Sequence, residues 1–509
     1  MKKLANEKKD ELTDEEKVIT YLKNELRKDS YIELDKFDKN IETLSISKED
    51  IISDLIDRNV LFIYTINNKK VITLKERYIL EQQIVEYIDF IKLKKIETLY
   101  LNIEDKLNIL DEFNLNFEQR QAVIESIKNN ITIIKGKAGT GKTTIVKAII
   151  KLYKKLNKSG KINIVSFTGK AVNRIMEDEI LGAQTIHKFL GADLDDIKDK
   201  NIKLKNTNLL IIDEATMVDI KLFNLILKSV KDNDDIKIIM LGDTNQLNPI
   251  TGGNVFKHLI DCKYVNIVRL KTVFRQRNDS LILKNSNFIL RKQKNWIKFK
   301  DEFKFYNLKK DEEIKSLVLE KIRSFLDLGY SMDDIVVLCS KNKGTLGVEE
   351  MNDSIANFVN ERYYRKEKGF VILDRVMNIK NDYSKRVFNG EEGIITELNI
   401  NDITVSFKGK NIQYTKNESE EMLRLSYANT IHKMQGSQYK VVILLVGEND
   451  KMLNKNLIYV AVTRATEQFV GIGDLETFKN SIEKTDLRKT FINNLINRKK
   501  CRNYLHNKT

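Results

Sequence analysis

The chain has 509 residues, 41% of them hydrophobic, which is enough for three or four domains that each bury a core and excludes a disordered tail. Lys and Arg outnumber Asp and Glu by 88 to 73, giving +15, so the surface either meets a polyanion such as nucleic acid or is a solvated basic face. Three scattered cysteines, Cys262, Cys339 and Cys501, exclude a disulfide framework and a CxxC metal site. The start lacks an apolar signal segment and no apolar run could span a bilayer, so we expect a cytoplasmic protein without membrane contact.

Residues 1–100 combine short helical patterns with a predicted hairpin. EEKVITYLKNEL and EDIISDLIDRN space apolar residues as a helix does, and LFIYTINNKKVITL contains two β-rich runs around a turn at Asn67 and Asn68. Helices followed by a hairpin indicate a helical or winged-helix-like domain. The pattern fits a nucleic-acid-binding role or a purely structural one.

A different rhythm begins near residue 105, where short buried strands alternate with loops and helices. The strand patterns lie at 131–134, 162–167, 209–213 and 236–241, and a second set lies at 333–340, 441–446 and 469–473. This alternation predicts an α/β fold with two parallel-sheet lobes covered by helices on both faces. The expected bounds are 101–275 for the first lobe, and 276–368 with 426–480 for the second.

Two further segments interrupt or follow the second lobe. Residues 369–425 are β-rich with a turn at Asn389 and Gly390, which predicts a small barrel inserted in that lobe. Residues 481–509 predict a basic C-terminal tail that is helical in part.

A glycine-rich loop follows the first strand of the first lobe. The run from Gly136 to Thr143 matches GxxxxGK[ST] between a strand and a helix, the context that a phosphate-binding P-loop requires. Its backbone N–H groups and the helix N-terminus bind phosphates, Lys142 reaches the β and γ oxygens of ATP, and Thr143 ligates Mg²⁺. The predicted nucleotide-binding residues of this loop are Gly136, Gly139, Thr140, Gly141, Lys142, Thr143 and Thr144.

Two carboxylates follow the strand pattern LLIID. Asp213 is placed to hold the Mg²⁺ shell, and Glu214 to orient and deprotonate the attacking water. An apolar run that ends in Asp-Glu is common by itself. Together with the P-loop it predicts a site that hydrolyses ATP.

The order of motifs along the chain resembles that of the RecD-like DNA helicases, a 5′→3′ group of superfamily 1 that includes the exodeoxyribonuclease V alpha subunits. The resemblance covers roughly residues 70–475 and is carried by NFEQRQAV, VSFTGKAVNRI, QTIHKFLG, IIDEATMVD, GDTNQLNPI, VFRQ, SYANTIHKMQGSQ and YVAVTRA. It implies that both lobes are RecA-like, that the insertion is SH3-like, and that the chain is a monomeric motor for DNA repair or recombination.

Residue roles follow from the same resemblance. Gln119 is placed to read adenine, Gln246 to sense the γ-phosphate, and Arg275 and Arg464 to act as two arginine fingers. The implied DNA contacts are Thr168, Gly169, Lys170, Thr185 and His187 in the first lobe and Thr430, His432 and Gln435 in the second. Phe167 is added to the predicted DNA contacts as an aromatic ring on which a base can stack. For both histidines, a satisfied structural role is the alternative interpretation.

The chain also departs from the family pattern. Phe167 and Asn248 stand where prolines are usual, and Gln438 replaces a glutamate. Each lies in a DNA-facing or coupling segment, so these departures bear on the efficiency of stepping. The interval 192–208, where these helicases carry a strand-separating pin, is short and charged and fits either a reduced pin or a loop.

The resemblance implies an ATP-dependent helicase that moves 5′→3′ on single-stranded DNA. Its expected partners are single-stranded DNA, DNA duplex junctions and other repair or replication proteins. The alternative is an ATP-gated translocase or clamp subunit of a repair or recombination complex that unwinds weakly.

Overall fold

The computed structural model describes residues 12–42, 48–95, 103–177, 180, 182–191, 207–274, 280–300, 302–360, 369–382 and 384–506. Within these ranges the strands form four sheets, two of them parallel and two antiparallel. No helix of the described ranges is long and apolar enough to cross a membrane.

The N-terminal region is a three-stranded antiparallel sheet packed on three helices. Its elements are α1 (Asp14–Glu25), β1 (Ile32–Glu33), α2 (Leu34–Glu42), α3 (Lys48–Asp57), β2 (Leu61–Ile66) and β3 (Lys69–Leu74), with sheet order β1-β3-β2. Asn67 and Asn68 have φ of 48° and 64°, the left-handed values that a two-residue type I′ hairpin turn requires. The predicted hairpin is therefore present and follows a helix, a short strand and two helices. A winged-helix-like domain remains a prediction.

The next region, which we call lobe 1, is a six-stranded parallel sheet between two layers of helices. Its elements are α4 (Lys75–Lys92), α5 (Ile103–Glu112), α6 (Phe117–Lys128), β4 (Ile131–Gly136), α7 (Lys142–Leu156), β5 (Ile162–Ser166), α8 (Gly169–Glu177), β6 (Gln184–Thr185), α9 (Ile186–Leu190), β7 (Leu209–Asp213), α10 (Ile220–Val230), β8 (Lys237–Gly242), α11 (Val255–Asp261) and β9 (Asn266–Leu270). The sheet order is β6-β5-β7-β8-β4-β9. Along β7, Leu210 and Ile212 enter one core and Leu209 and Ile211 the other, which is why the strand reads as an unbroken apolar run.

The remaining sheets belong to lobe 2 and its insertion. The elements are α12 (Leu281–Leu290), β10 (Phe303–Asn307), α13 (Asp311–Asp327), β11 (Ile335–Cys339), α14 (Val348–Val359), β12 (Arg375–Asn378), β13 (Glu392–Leu398), β14 (Asp402–Phe407), β15 (Lys410–Thr415), α15 (Lys416–Met422), β16 (Leu423–Leu425), β17 (Ala428–Thr430), β18 (Tyr439–Val446), α16 (Lys455–Arg464), β19 (Ala465–Gly473), α17 (Leu475–Ser481) and α18 (Ile492–His506). Short 3₁₀ turns occur at Ala215–Met217, Lys294–Trp296 and Met332–Asp334.

Lobe 2 is built on the parallel sheet β10-β19-β18-β11-β17, so the predicted pair of parallel-sheet lobes is confirmed. The insertion is an antiparallel sheet of order β15-β14-β13-β12-β16 around its own small core. Hydrogen bonding leaves this sheet open between β15 and β16, where α15 makes the connection. Its likeness to an SH3 domain remains a prediction.

The C-terminal segment returns from lobe 2 to lobe 1. Ile492 and Ile496 of α18 are fully buried in the core of lobe 1, and Phe491 just before them is buried as well. The sequence predicted a basic tail here, but these apolar side chains make α18 part of lobe 1 instead. We call residues 482–491 the strap, because they connect the last helix of lobe 2, α17, to a helix of lobe 1.

Candidate active site

The P-loop connects β4 to α7. Gly139 and Gly141 have φ of 80° and 77°, left-handed values that favour glycine, and Gly141 immediately precedes the first residue of α7. A Cβ atom on Gly141 would lie 2.4 Å from the Gln119 side chain, so the loop also needs glycine for space. The loop thus turns its backbone toward the helix N-terminus, the arrangement that binds phosphate.

A cavity of about 370 Å³ lies at this loop. It is lined by Ala138, Gly139, Thr140, Gly141, Lys142, Thr143, Thr144, Ile175, Asp213, Glu214, Gln246, Phe274 and Arg464. These residues come from the segments that follow four lobe 1 strands, β4, β7, β8 and β9, from α8, and from α16 of lobe 2. Of the predicted nucleotide-binding residues, Gly136 and Gln119 are the two that do not line it.

Lys142 is held against the P-loop. Its Nζ donates to the carbonyl oxygens of Gly136 and Lys137 at 3.0 and 3.2 Å. A phosphate group would replace neutral carbonyl acceptors by charged oxygens, which bind an ammonium more strongly. The lysine is therefore already positioned in the cavity.

The two carboxylates lie at the end of β7. Glu214 has a φ of 50°, and a left-handed residue other than glycine or asparagine at an active site is a strained conformation that surrounding contacts must impose. Asp213 Oδ1 is buried and accepts no hydrogen bond from any described residue. An unpartnered carboxylate oxygen in the same cavity as Thr143 suits a hard divalent cation that also binds phosphate oxygens. No cluster of three His, Cys, Asp or Glu among the described residues forms a separate metal site.

Gln246 and Arg464 face the cavity from opposite lobes. Both are buried, and the Arg464 guanidinium is oriented by hydrogen bonds to the carbonyl oxygens of Ser437 and Val460, at 2.9 and 3.2 Å. Gln246 follows β8, and its side-chain oxygen accepts a hydrogen bond from Gln435 of lobe 2 at 3.0 Å. The sequence order alone could not show that these groups share one cavity.

Gln119 lies behind the P-loop. Its Oε1 accepts from the backbone N–H of Asn116 in a capping box, and its Nε2 donates to the carbonyl of Thr140 at 3.2 Å. In this arrangement Gln119 supports the loop, and adenine reading by it stays a prediction.

Phe274 is a cavity residue that the sequence analysis missed. Its backbone N–H donates to the carbonyl of Gly139 at 2.7 Å, and the residue is 57% exposed and lines the cavity. An exposed aromatic ring beside a nucleotide cavity provides a surface on which a base can stack. The signal was its position directly before Arg275. Arg275 itself lies outside the described residues, as does 192–206 of the interval proposed as a pin.

The predicted DNA contacts of lobe 1 separate into three pairs. Phe167 and His187 are half-buried neighbours whose ring centroids are 6.0 Å apart in an edge-to-face arrangement, and burial lowers the pKa of His187. Thr168 and Thr185 accept backbone N–H groups at the starts of α8 and α9, at 3.2 Å each. The two threonines therefore cap the helices that carry Gly169, Lys170 and His187.

Lys170 and Gly169 contact the insertion. Lys170 Nζ lies 3.2 Å from Glu392, and a Cβ on Gly169 would lie 2.6 Å from the Phe388 side chain. Burial by itself would raise the pKa of Glu392, but Arg375 and Lys170 outweigh it and lower the pKa to about 2. Lys170 is thus an ion-pair partner of the insertion in this conformation.

A second cavity of about 980 Å³ lies beside this contact, bordered by lobe 1, the insertion and residues 436–439 of lobe 2. Its lining includes the cations Lys188, Arg386 and Lys408 and the aromatic rings Phe388 and Phe407. Cationic and aromatic side chains together suit a single-stranded nucleic acid.

On lobe 2 the three predicted DNA contacts also differ in their surroundings. Thr430 and His432 are partly exposed, and burial lowers the pKa of His432. Gln435 is buried in the contact with Gln246 and is not on an open surface. In this conformation Gln435 therefore forms a hydrogen bond between the lobes.

Two family models match separate parts of the chain. A model of the AAA domain matches residues 114–301, and a model of the UvrD-like helicase C-terminal domain matches residues 425–470. The RecBCD enzyme subunit RecD of Buchnera aphidicola subsp. Acyrthosiphon pisum is 30% identical over 74% of this chain and 75% of that protein. The chain belongs to the RecD family of superfamily 1 helicases.

Other relatives of this RecD-family chain are longer. The ATP-dependent RecD2 DNA helicase of Deinococcus radiodurans is 27% identical over 72% of this chain. The chain spans about half the length of that helicase, 50%, and of an uncharacterized protein of Methanocaldococcus jannaschii, 49%. Among solved structures, a Bacteroides Pif1 helicase in complex with ADP-AlF3 and ssDNA is 24% identical over 70% of this chain and 92% of that chain, with a TM-score of 0.49.

Proposed function

We propose that the chain is an ATP-dependent DNA helicase that moves 5′→3′ on single-stranded DNA. The observation that carries this proposal is the shared cavity in which the P-loop of lobe 1 meets Arg464 of lobe 2. A site completed by both lobes makes hydrolysis depend on their relative position. The polarity comes from the family resemblance.

Each residue of the cavity has a proposed role in ATP binding or hydrolysis. Lys142 and the P-loop N–H groups bind the phosphates of ATP, and Glu214 orients and deprotonates the attacking water. Thr143 and Asp213 would hold Mg²⁺, which when bound neutralises charge on the β and γ oxygens. Arg464, and Arg275 as its proposed partner, stabilise the charge that develops on the γ-phosphoryl group.

The lobes move relative to each other because some side chains contact ATP but not ADP. Gln246 and the arginines gain their phosphate partner when ATP binds and lose it after hydrolysis, so the closed arrangement of the lobes is favoured only with ATP. Because Gln246 also contacts Gln435, the change is transmitted to the lobe 2 segment that carries Thr430 and His432. The DNA contacts of lobe 1 and those of lobe 2 then tighten alternately, which produces inchworm movement along the strand.

The DNA track is proposed to combine the Phe167–His187 surface with Thr430 and His432. Phe167 supplies a ring for base stacking, and the basic cavity beside the insertion supplies cations for phosphates. Lys170 joins this track if DNA phosphates replace Glu392 as its partner.

A second candidate is a translocase or clamp subunit of a repair or recombination complex. It is favoured by the relatives that are subunits of the RecBCD enzyme by name. In this role ATP hydrolysis would be stimulated by DNA, but strand separation by the chain alone would be weak.

The deciding experiment measures ATP-dependent unwinding of duplexes with a 5′ or a 3′ single-stranded tail. Lys142→Ala is the control that removes the phosphate-binding ammonium. Unwinding only from the 5′ tail, lost in the control, supports the helicase. DNA-stimulated hydrolysis without unwinding from either tail favours the clamp or translocase, and hydrolysis without DNA stimulation contradicts both.

A further inference from the structure

Three segments that are distant in sequence meet beside the γ-phosphate sensor. They are residues 243–253, which follow β8 and carry Gln246; residues 27–30 of the N-terminal region; and the strap, residues 482–491. Gly252 and Gly253 donate their backbone N–H groups to the carbonyls of Arg27 and Lys28, at 3.0 Å each. Residues 243–253, which we call the sensor segment, are thereby fixed to the N-terminal region.

The strap joins the same junction through its backbone. Asn248, two residues after Gln246, donates to the backbone carbonyl of Asp486 at 2.8 Å. Further along the strap, the N–H of Lys489 donates to Asp29 at 2.9 Å, and the carbonyl of Lys489 accepts from Ser30 at 2.8 Å. The strap is therefore hydrogen-bonded to both of the other segments.

Arg488 is the group that touches all three segments. Its Nη2 donates to the carbonyl of Pro249 at 3.0 Å and to the Asp486 carboxylate at 2.9 Å, and its Nη1 donates to the carbonyl of Lys28 at 3.4 Å. The Arg488 side chain is only 5% exposed. A guanidinium can serve several planar acceptors at once, which an ammonium cannot do with the same geometry.

The position of Arg488 matters because the strap is a covalent connection from lobe 2 to lobe 1. When the distance between the lobes changes, either the strap changes its conformation or it displaces the segments to which it is hydrogen-bonded. Through Pro249, three residues from Gln246, the strap is linked to the segment that faces the nucleotide. Arg488 takes no part in the roles proposed above.

We propose that Arg488 is a positioning residue that holds the Gln246 segment against the strap and the N-terminal region, so that Gln246 is presented to the γ-phosphate. This inference rests on the proposed function and adds a second path between the lobes to the direct Gln246–Gln435 contact. Because Arg488 acts through Gln246, its loss affects binding of a triphosphate and spares binding of a diphosphate.

The test compares the affinities of ADP and of AMP-PNP, an ATP analogue that resists hydrolysis, for wild-type protein and Arg488→Ala. We expect AMP-PNP affinity to fall about tenfold, the effect of roughly one charge-assisted hydrogen bond, with ADP affinity unchanged within about twofold. Arg488→Lys should lie between the two. Arg498→Ala is the matched control, because Arg498 lies over the Tyr64 ring and joins α18 to the N-terminal region without touching the sensor segment.

A double variant separates positioning from general stability. In Gln246→Ala, adding Arg488→Ala should cause no further loss of AMP-PNP affinity if the arginine acts through the glutamine. Equal losses for ADP and AMP-PNP, or additive effects in the double variant, overturn the proposal. If Arg488→Ala does not fold in a thermal unfolding assay, Asn248→Ala replaces it, with the same expected selectivity and a smaller effect.

The two proposals fail in different ways. Wild-type protein that shows no DNA-stimulated ATP hydrolysis contradicts the proposed function. Wild-type protein that hydrolyses ATP with DNA, together with an Arg488→Ala variant that binds both nucleotides as the Arg498→Ala control does, contradicts only the positioning role.

Discussion

The Nε2 atom of Gln435 donates a hydrogen bond to Oε1 of Gln246, 3.0 Å away, and both side chains are buried. The contact joins the sensor segment of lobe 1 to the segment after β17 of lobe 2. Asn456 and Tyr459 of α16 reinforce it, donating to the carbonyl of Gln246 at 2.8 Å and to the carboxylate of Asp243 at 2.9 Å. Buried polar contacts thus connect the nucleotide cavity to the lobe 2 segment that carries the predicted DNA contacts.

We expect Gln435→Ala to reduce the DNA stimulation of ATP hydrolysis by about tenfold, because a buried interlobe hydrogen bond is lost and Gln246 is left without its donor. Hydrolysis without DNA should change little. Gln413→Ala, on the exposed side of β15, is the matched control. Steady-state hydrolysis rates with and without single-stranded DNA check this, and normal stimulation in Gln435→Ala would contradict it.

Phe274→Ala should raise the KM for ATP by roughly tenfold or more, with kcat nearly unchanged, since stacking on a base contributes about 1–3 kcal/mol per base. Phe274→Tyr should behave as wild type. Phe117→Ala removes a ring that is 81% exposed and does not line the cavity, so it is the control. An unchanged KM in Phe274→Ala would exclude this ring as the base platform.

Arg464→Lys should lower kcat by about a thousandfold, because arginine fingers contribute several orders of magnitude and an ammonium lacks the planar set of donors. Binding of ADP should persist, since the arginine is proposed to stabilise charge on the γ-phosphoryl group. Single-turnover hydrolysis and ADP titration test this pair of outcomes. A loss of ADP binding equal to the loss of rate would indicate a structural role instead.

Phe167→Ala should weaken binding of single-stranded DNA by roughly tenfold to a hundredfold through loss of base stacking. Phe167→Trp should restore it. Phe90→Ala serves as the control, because Phe90 is an exposed ring of α4 outside the proposed track. Fluorescence anisotropy with a labelled oligonucleotide at fixed salt measures the affinities, and equal binding by both alanine variants would remove Phe167 from the track.

Glu81 should make the free energy of unfolding depend on pH. Its buried carboxylate accepts the N–H groups of Phe491 and Ile492, and burial raises its pKa to about 7, despite the opposing effects of Ser30, those two N–H groups and Arg77. The folded protein therefore binds more protons than the unfolded chain between pH 4.5 and 7. The contribution of Glu81 is fully present below pH 4.5 and is lost as pH rises through 7.

Glu81→Gln removes this titration and keeps an oxygen for the two N–H groups. The difference in unfolding free energy between Glu81→Gln and wild type should grow by roughly 1–3 kcal/mol between pH 5 and pH 8, in favour of the variant. Urea unfolding across that range measures it. A difference that stays constant with pH would show that Glu81 is ionised throughout.

Much of the fold could be predicted because its signals are local. Buried parallel strands are short, unbroken apolar runs, and β4, β5, β7, β8, β11, β18 and β19 all lie within or overlap the predicted runs. The P-loop requires glycines at left-handed positions next to a strand and a helix, so its sequence identifies its structure. The position of the two carboxylates could be predicted in the same way, because they end an apolar strand run and the ends of parallel strands lie at one edge of the sheet.

What the sequence by itself determined, then, is the two parallel lobes, the P-loop between a strand and a helix, and the family. Only the tertiary structure decided that Gln119 supports the P-loop, that Phe274 lines the cavity, that Lys170 pairs with Glu392, and that α18 belongs to lobe 1. The physical reason is the range of the interactions. Strand, turn and P-loop signals involve neighbours in sequence, whereas these contacts join side chains separated by tens to hundreds of residues, whose partners no local pattern specifies.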